Sequence, residues 1–258
     1  MKKITALLLV ILSLSLLLCS CSQSEAAKAV DEKIKNIGDV DLSKGEAIEE
    51  IFKEYSLLTG KDKEDVKNFD KLSEKKNQYD SLKLYSDAAD ALIALYDKSL
   101  SEYGVAYTEI EAALNELYER GADEKNEIKA EYDKITEKVT EKQNEYNEVK
   151  TAAVKSAVTY VNGLKKVMGI SSLEIKEIGC IAQISDGTTY YLFALKYNDG
   201  TADKTVYSSA RFAGTPSMET VTSYKDSFYS EKALSDKTNP LKTGNIILDI
   251  NEITAQLD

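Results

Sequence analysis

The chain has 258 residues, a formal charge of −11, 16 Tyr, 2 Pro, 3 Cys, and neither Trp nor His. Without histidine there is no Ser-His-Asp or Cys-His nucleophile, no histidine metal site and no imidazole proton shuttle, and the acidity excludes nucleic acid as an electrostatic partner. Two prolines and 30% charged residues predict long helices rather than a turn-rich all-β chain.

Residues 1–21 read as a targeting segment. Lys2 and Lys3 form a positive start, and Ile4 to Leu18 make an apolar run of 15 residues, shorter than the roughly 18–20 that span a bilayer. The run ends in Leu18-Cys19-Ser20-Cys21-Ser22. This resembles the lipobox of bacterial lipoprotein signal peptides, in which an aliphatic residue, a tolerated residue and a small residue precede the acylated cysteine. Cys21 has Ser20 and Leu18 in the required places, whereas Cys19 has Leu18 where a small residue belongs. The plainer alternatives are an uncleaved membrane anchor or a secretory leader with incidental cysteines. The resemblance implies cleavage before Cys21, a diacylglycerol thioether and fatty acyl groups such as palmitate on it, and a cell-membrane, extracytoplasmic location. One acyl chain is marginal, but two anchor stably at about 0.8 kcal/mol per buried CH₂. Loss of Lys2 and Lys3 leaves 31 basic and 44 acidic residues, a charge of −13 that an anionic surface repels. Only Cys180 then remains free to pair, so no intrachain disulfide forms. In the run Ile178-Gly179-Cys180-Ile181-Ala182 it reads as a buried apolar residue.

Residues 22–83 predict three helices. Val30, Ile34 and Ile37 step along one face, and Gly38 supplies the C-terminal stop. Ser43 and Glu46 suggest a capping box opening a second helix with Ile48, Ile51, Phe52, Tyr55 and Leu58 inward, ended by Gly60. A third follows Asp70, with Leu72, Tyr79 and Leu82 inward and Val66 and Phe69 on its approach. The text Val30-Asp31-Glu32-Lys33-Ile34 through Leu42, with Ala47-Ile48, Tyr55, Leu58 and Val66-Lys67-Asn68-Phe69-Asp70-Lys71-Leu72, resembles a three-helix module of Gram-positive surface proteins and extracellular enzymes. The resemblance covers about a quarter of the chain and implies a spacer role with no catalytic residue carried over.

Residues 84–169 predict a long antiparallel helical hairpin, or coiled coil, with its tip near Gly121. Apolar residues step by three and four from Leu82, Tyr85, Ala89, Leu92 and Tyr96 to Leu117, and again from Ile128, Tyr132 and Ile135 to Val167. Each arm would extend on the order of 60 Å, with a kink in the first at Gly104. Glu116 to Lys150 is densely charged, either a solvated tip or a partner-binding one.

Residues 170–258 predict a small antiparallel sheet with helices. The period changes to two after Gly169, with a parity switch suggesting a bulge near Gly179. Asp186-Gly187 and Asn198-Asp199-Gly200 mark hairpins, Lys204 to Phe212 a third strand, Ile246 to Leu248 a buried strand, and Ile250 to Leu257 a closing helix. The sheet is expected on Val154 to Met168. This part is loosely similar to C-terminal parts of uncharacterised Gram-positive lipoproteins. The fold class is therefore α+β, mostly α.

No P-loop, dinucleotide fingerprint or calcium loop appears, so no cofactor and no metal are predicted. The reading is a non-catalytic, membrane-anchored spacer and binding protein for an extracellular protein or wall component. Two alternatives stay open: a carboxylate-only hydrolase of wall glycan, which needs just two acids, and a carrier enclosing a small apolar ligand.

Overall fold

A computed structural model describes residues 23–121, 128–208, 210–223, 228–229 and 238–258. The class is α+β, mostly α. The chain forms two compact units, Met1–Leu84 with Asp123–Tyr132, and Tyr85–Ala122 with Asp133–Asp258. Cys21 and the leader lie outside the described residues.

In the first unit, α1 (Glu25–Asn36) is capped by Ser24, whose hydroxyl accepts from Ala27 N at 3.1 Å. It stops where Gly38 takes a φ of +69°, a conformation that costs glycine little. A 3₁₀ turn, Leu42–Lys44, then leads into α2 (Gly45–Leu57). The expected Ser43–Glu46 box is replaced by Asp41, which accepts from Ser43 N at 2.7 Å and from its hydroxyl at 2.5 Å. Gly60 does not end α2. It opens a short helix, α3 (Gly60–Asp65), capped by Thr59. The next helix, α4 (Phe69–Ser101), begins one residue before the expected Asp70 cap. The periodic residues form one core: Ala27, Val30, Ile34, Ile37, Ile48, Ile51, Val66 and Leu72 are buried, with Phe52, Tyr55, Leu58, Phe69 and Tyr79 against them. Full burial stabilises each large aliphatic by about 1.5–3 kcal/mol. Tyr55 stacks on Phe69 with centroids 4.1 Å apart.

Asp31 interrupts that apolar face and is buried too. Its carboxylate accepts from Lys67 N at 3.1 Å, Asn68 N at 2.9 Å, Asn68 Nδ2 at 3.1 Å, and Gln23 Nε2. It thereby satisfies backbone donors where the chain enters α4. Burial alone would raise its pKa, but these donors together outweigh burial and hold it below the ordinary carboxylate value.

In the second unit the first arm of the expected hairpin is not one helix. The chain leaves α4 at Ser101, passes Gly104 at φ +91°, and starts α5 (Tyr107–Gly121). A kink was the expectation; the chain instead reverses. Gly121, at the far end of α5, packs against the Tyr85 ring, and the Tyr85 hydroxyl meets Thr136 Oγ1 at 2.8 Å. Farther along α6 (Lys129–Met168), near its middle, Tyr96 and Tyr146 lie ring to ring at 5.0 Å, and Lys142 pairs with Asp97 at 2.5 Å. Hence α4 and α6 run parallel here, with α5 antiparallel to both. The expected antiparallel pairing thus holds between α5 and α6, and the tip expected near Gly121 continues into residues outside those described. The seam is much as the periodicity places it: Tyr85, Ala89, Leu92, Tyr96, Leu100, Ile110, Leu117, Ile135, Val139, Tyr146, Ala153, Ala157, Tyr160 and Leu164 are buried.

The sheet follows. β1 (Glu174–Ser185) and β2 (Thr188–Asn198) pair through an Asp186-Gly187 turn with φ of +50° and +73°. Both central residues are left-handed, as a two-residue hairpin with the strands' own twist requires. The bulge falls between Ile175 and Glu177, upstream of Gly179. Gly179 has another role: a Cβ there would overlap the Pro240 carbonyl. The third strand is broken into β3 (Asp203–Ser208) and β4 (Phe212–Ala213), both paired with β2, and β5 (Phe228–Tyr229) adds to β3. Of the ambiguous stretch after Gly214, Met218–Ser223 is a helix, α7. One face of the sheet lies on α6, where Tyr160 stacks on Phe193 at 5.0 Å, the Tyr191 hydroxyl donates to Val149 O at 3.2 Å, and Tyr197 reaches Met168 Sδ at 3.7 Å. Then come α8 (Pro240–Thr243), which packs on β1, and α9 (Ile250–Thr254).

Ile246 to Leu248 is not a strand. A single bridge joins Ile246 to Cys180, and Ile247 is 45% exposed. The preceding side chain takes over the ladder. Asn245 Oδ1 accepts from Ala182 N at 2.8 Å, its Nδ2 donates to Ala182 O at 2.8 Å and to Ser99 O, and its own carbonyl accepts from the Tyr146 hydroxyl. Beside it, Gly244 O accepts from Tyr107 N at 3.0 Å. Gly244 and Asn245 thus tie β1, the end of α4, the start of α5 and α6 together.

Candidate functional site

The sheet corner beyond β3 carries the most specific exposed chemistry. Gln183 of β1, Tyr190 of β2 and Ala213 of β4 lie side by side in register. Just before β4, the exposed Arg211 places its guanidinium 5.2 Å from the centre of the Tyr190 ring. Its Nη1 donates to Gln183 Oε1 at 3.0 Å and faces the Tyr103 hydroxyl at 3.5 Å. Gln183 is itself fixed, donating from Nε2 to Ser101 O at 3.1 Å. Stacking at an exposed site contributes about 0.5–1 kcal/mol and orients the planar donor group. Among the described residues no carboxylate pairs with Arg211, whereas the chain's other arginine, Arg120, pairs with Glu116 at 2.7 Å. An oriented guanidinium with tyrosine faces suits a carboxylate or a polar chain segment.

Two hollows open on the same unit. One, of about 430 Å³, is lined by Asn162, Lys165, Ile170, Met218 and Asp258. Asn162 fixes Asp258 there through contacts of 3.2 and 3.3 Å. The other, of about 620 Å³, runs along α6 past Asn147, Thr151 and Lys155 to Thr215.

A carboxylate pair for glycan cleavage needs one acid held protonated. Among the described residues, the carboxyls whose ionisation is clearly displaced all move down: Glu25 through Lys28, Asp62 through Thr59 and Ser24, Asp199 through Lys204 and Thr201, and Asp31 as described. Asp199 accepts from Thr201 N at 3.0 Å and Ala202 N at 3.3 Å within its hairpin, which is turn chemistry. Among the described residues no group of three or more Cys, Asp or Glu is placed to hold a metal ion.

Cys180 is fully buried, and burial pushes its thiol well above the ordinary value. Cys21, the predicted lipid attachment, lies outside the described residues, and among those residues no helix is long and apolar enough to cross a membrane. Sequence reasoning missed Asp31, Arg211 and Asn245. Only Asp31 left a trace, as a charged residue on the Ala27, Val30 and Ile34 face. No family model, curated protein or solved structure matches the chain.

Proposed function

We propose that the chain is a membrane-anchored cell-surface lipoprotein, held by lipid on Cys21, that acts as a spacer and binding protein for an extracytoplasmic partner. The observation that carries this reading is Leu18-Cys19-Ser20-Cys21 closing a 15-residue apolar run behind Lys2 and Lys3. Cys180, a buried free thiol, is consistent with this reading in taking no part in the anchor. The binding surface is the sheet corner of Arg211, Tyr190, Tyr103 and Gln183, where an aromatic and arginine composition favours recognition. The partner is a protein or wall component presenting carboxylates. The test has two arms. Cys21→Ala should abolish fatty-acid labelling and move the protein from the membrane to the soluble fraction; labelling that persists overturns the anchor. A photo-crosslinking residue at Tyr190 should capture a partner in cells, and Arg211→Ala should reduce that capture; capture unchanged by Arg211→Ala overturns the surface.

A further inference from the structure

The first unit begins almost at the proposed lipid. Ser22 alone separates Cys21 from Gln23, and Gln23 is already fixed by its side chain to Asp31. Ser24 N donates to Asp65 Oδ2 at 3.3 Å, and the Ser24 hydroxyl also bonds Asp62. Three residues of chain span at most about 11 Å, so Cys21 cannot stand farther than that from Ser24. The link between the proposed lipid and the folded unit is therefore short.

Other parts of the unit share this end. Asp62 accepts from the Thr59 hydroxyl at 2.6 Å, which places the cap of α3 beside Ser24. Two residues earlier, at the end of α2, Leu57 is 77% exposed, more than any other large apolar residue among those described. The local charge is small: in α3 Lys61 and Lys63 stand against Asp62, Glu64 and Asp65, a charge of −1, and in the first turn of α1 Lys28 pairs with Glu25 at 2.7 Å. The chain as a whole is strongly acidic. A weakly charged end meets less repulsion at an anionic surface than the rest of the protein does.

We propose that this end of the first unit, made of the first turn of α1, the helix α3 and Leu57, is a bilayer-apposed surface, with Leu57 entering the boundary between headgroups and acyl chains. The inference rests on acylation of Cys21. The short link holds the unit at headgroup depth, the low local charge permits close approach, and Leu57 gains from leaving water there.

The test uses the full lipidated protein on phosphatidylethanolamine–phosphatidylglycerol vesicles. An environment-sensitive fluorophore is attached to Leu57→Cys and, separately, to Leu42→Cys. Leu42 is the comparison site: it is 42% exposed and lies beyond the other end of α1, roughly 18 Å along that helix. Buried Cys180 should leave the parent chain unlabelled. At position 57 the emission should shift to the blue and be quenched by lipids brominated in their acyl chains, while position 42 does neither. Co-flotation with the vesicles without quenching at 57, or equal quenching at both positions, overturns the surface and leaves the anchor standing. Protein that carries no fatty acid and does not float overturns the anchor, and the surface with it.

Discussion

The Tyr146 hydroxyl donates its hydrogen bond to the main-chain carbonyl of Asn245, a residue 99 positions later in the chain. The same asparagine spends its side chain on Ala182 and Ser99. Its side-chain partners are all backbone groups.

Asn245→Ala therefore orphans Ala182 N, Ala182 O and Ser99 O inside the second unit. The expected loss is on the order of 3 kcal/mol, since each buried unsatisfied group costs about 1–3 kcal/mol and relaxation recovers part. Tyr146→Phe, which orphans one carbonyl, should cost about 1–2 kcal/mol. Urea unfolding followed by circular dichroism, with hydrogen exchange to separate the units, measures both. Wild-type stability for Asn245→Ala would show the amide network to be idle.

Gly179→Ala is expected to destabilise the sheet more than an ordinary Gly→Ala change. The added methyl overlaps the Pro240 carbonyl, and backbone held by the Asn239 cap and the Ile246 bridge yields poorly. Overpacking of this kind costs about 1–3 kcal/mol. Exchange protection in β1 should fall, and an unaltered thermal midpoint would contradict the close approach.

Asp31 gives the first unit an acid dependence. Its pKa is lowered on folding from an ordinary value of 3.8, so its stabilisation is complete above that value and is lost as pH falls through the folded one. The amides of Lys67 and Asn68 should keep their exchange protection at neutral pH and lose it only as pH falls below 3.8 and through the lowered folded value. Asp31→Asn retains an acceptor without the charge, so it should start less protected and vary little with acid.

At the alkaline end the tyrosines set the limit. Burial, then the neighbouring Cys180, pushes Tyr191 up to about 12, and burial also raises Tyr146 and Tyr160. A raised folded pKa contributes stability that is intact below the unfolded value near 10 and is lost as pH rises through the folded one. Absorbance titration should show two classes, with exposed tyrosines ionising first and the buried ones only as the second unit opens. A single smooth transition near the ordinary value would argue against the burial.

The helices and most of the seam were legible because their periodicity is a local property: Leu92, Tyr96 and Leu100 announce their buried face wherever the chain goes next. The reversal after Ser101 was not. Tyr103 and Tyr107 continue the same stepping through Gly104, and no proline interrupts them. What starts α5 is partly local, since Glu109 accepts from Ala106 N at 3.1 Å, but also distant, through Gly244 O. The parity switch located a bulge to within a few residues. Asn245 and Arg211 had no signature because their partners, Ser99 and Gln183, are 146 and 28 positions away. Composition identifies a turn asparagine or a surface arginine; only the folded chain shows what each holds.

The Asn245 network also sets an order in time. The first unit's core runs from Ala27 to Leu72 and uses neighbours close in sequence, so it can close early as the chain is made. The meeting place of α4, α5 and α6 waits for a residue 99 positions beyond Tyr146. At about 5–20 residues per second, synthesis leaves that gap open for roughly 5–20 s. During that interval the helices are present and their common end is unsealed, and there a chaperone or a protease would find the nascent chain.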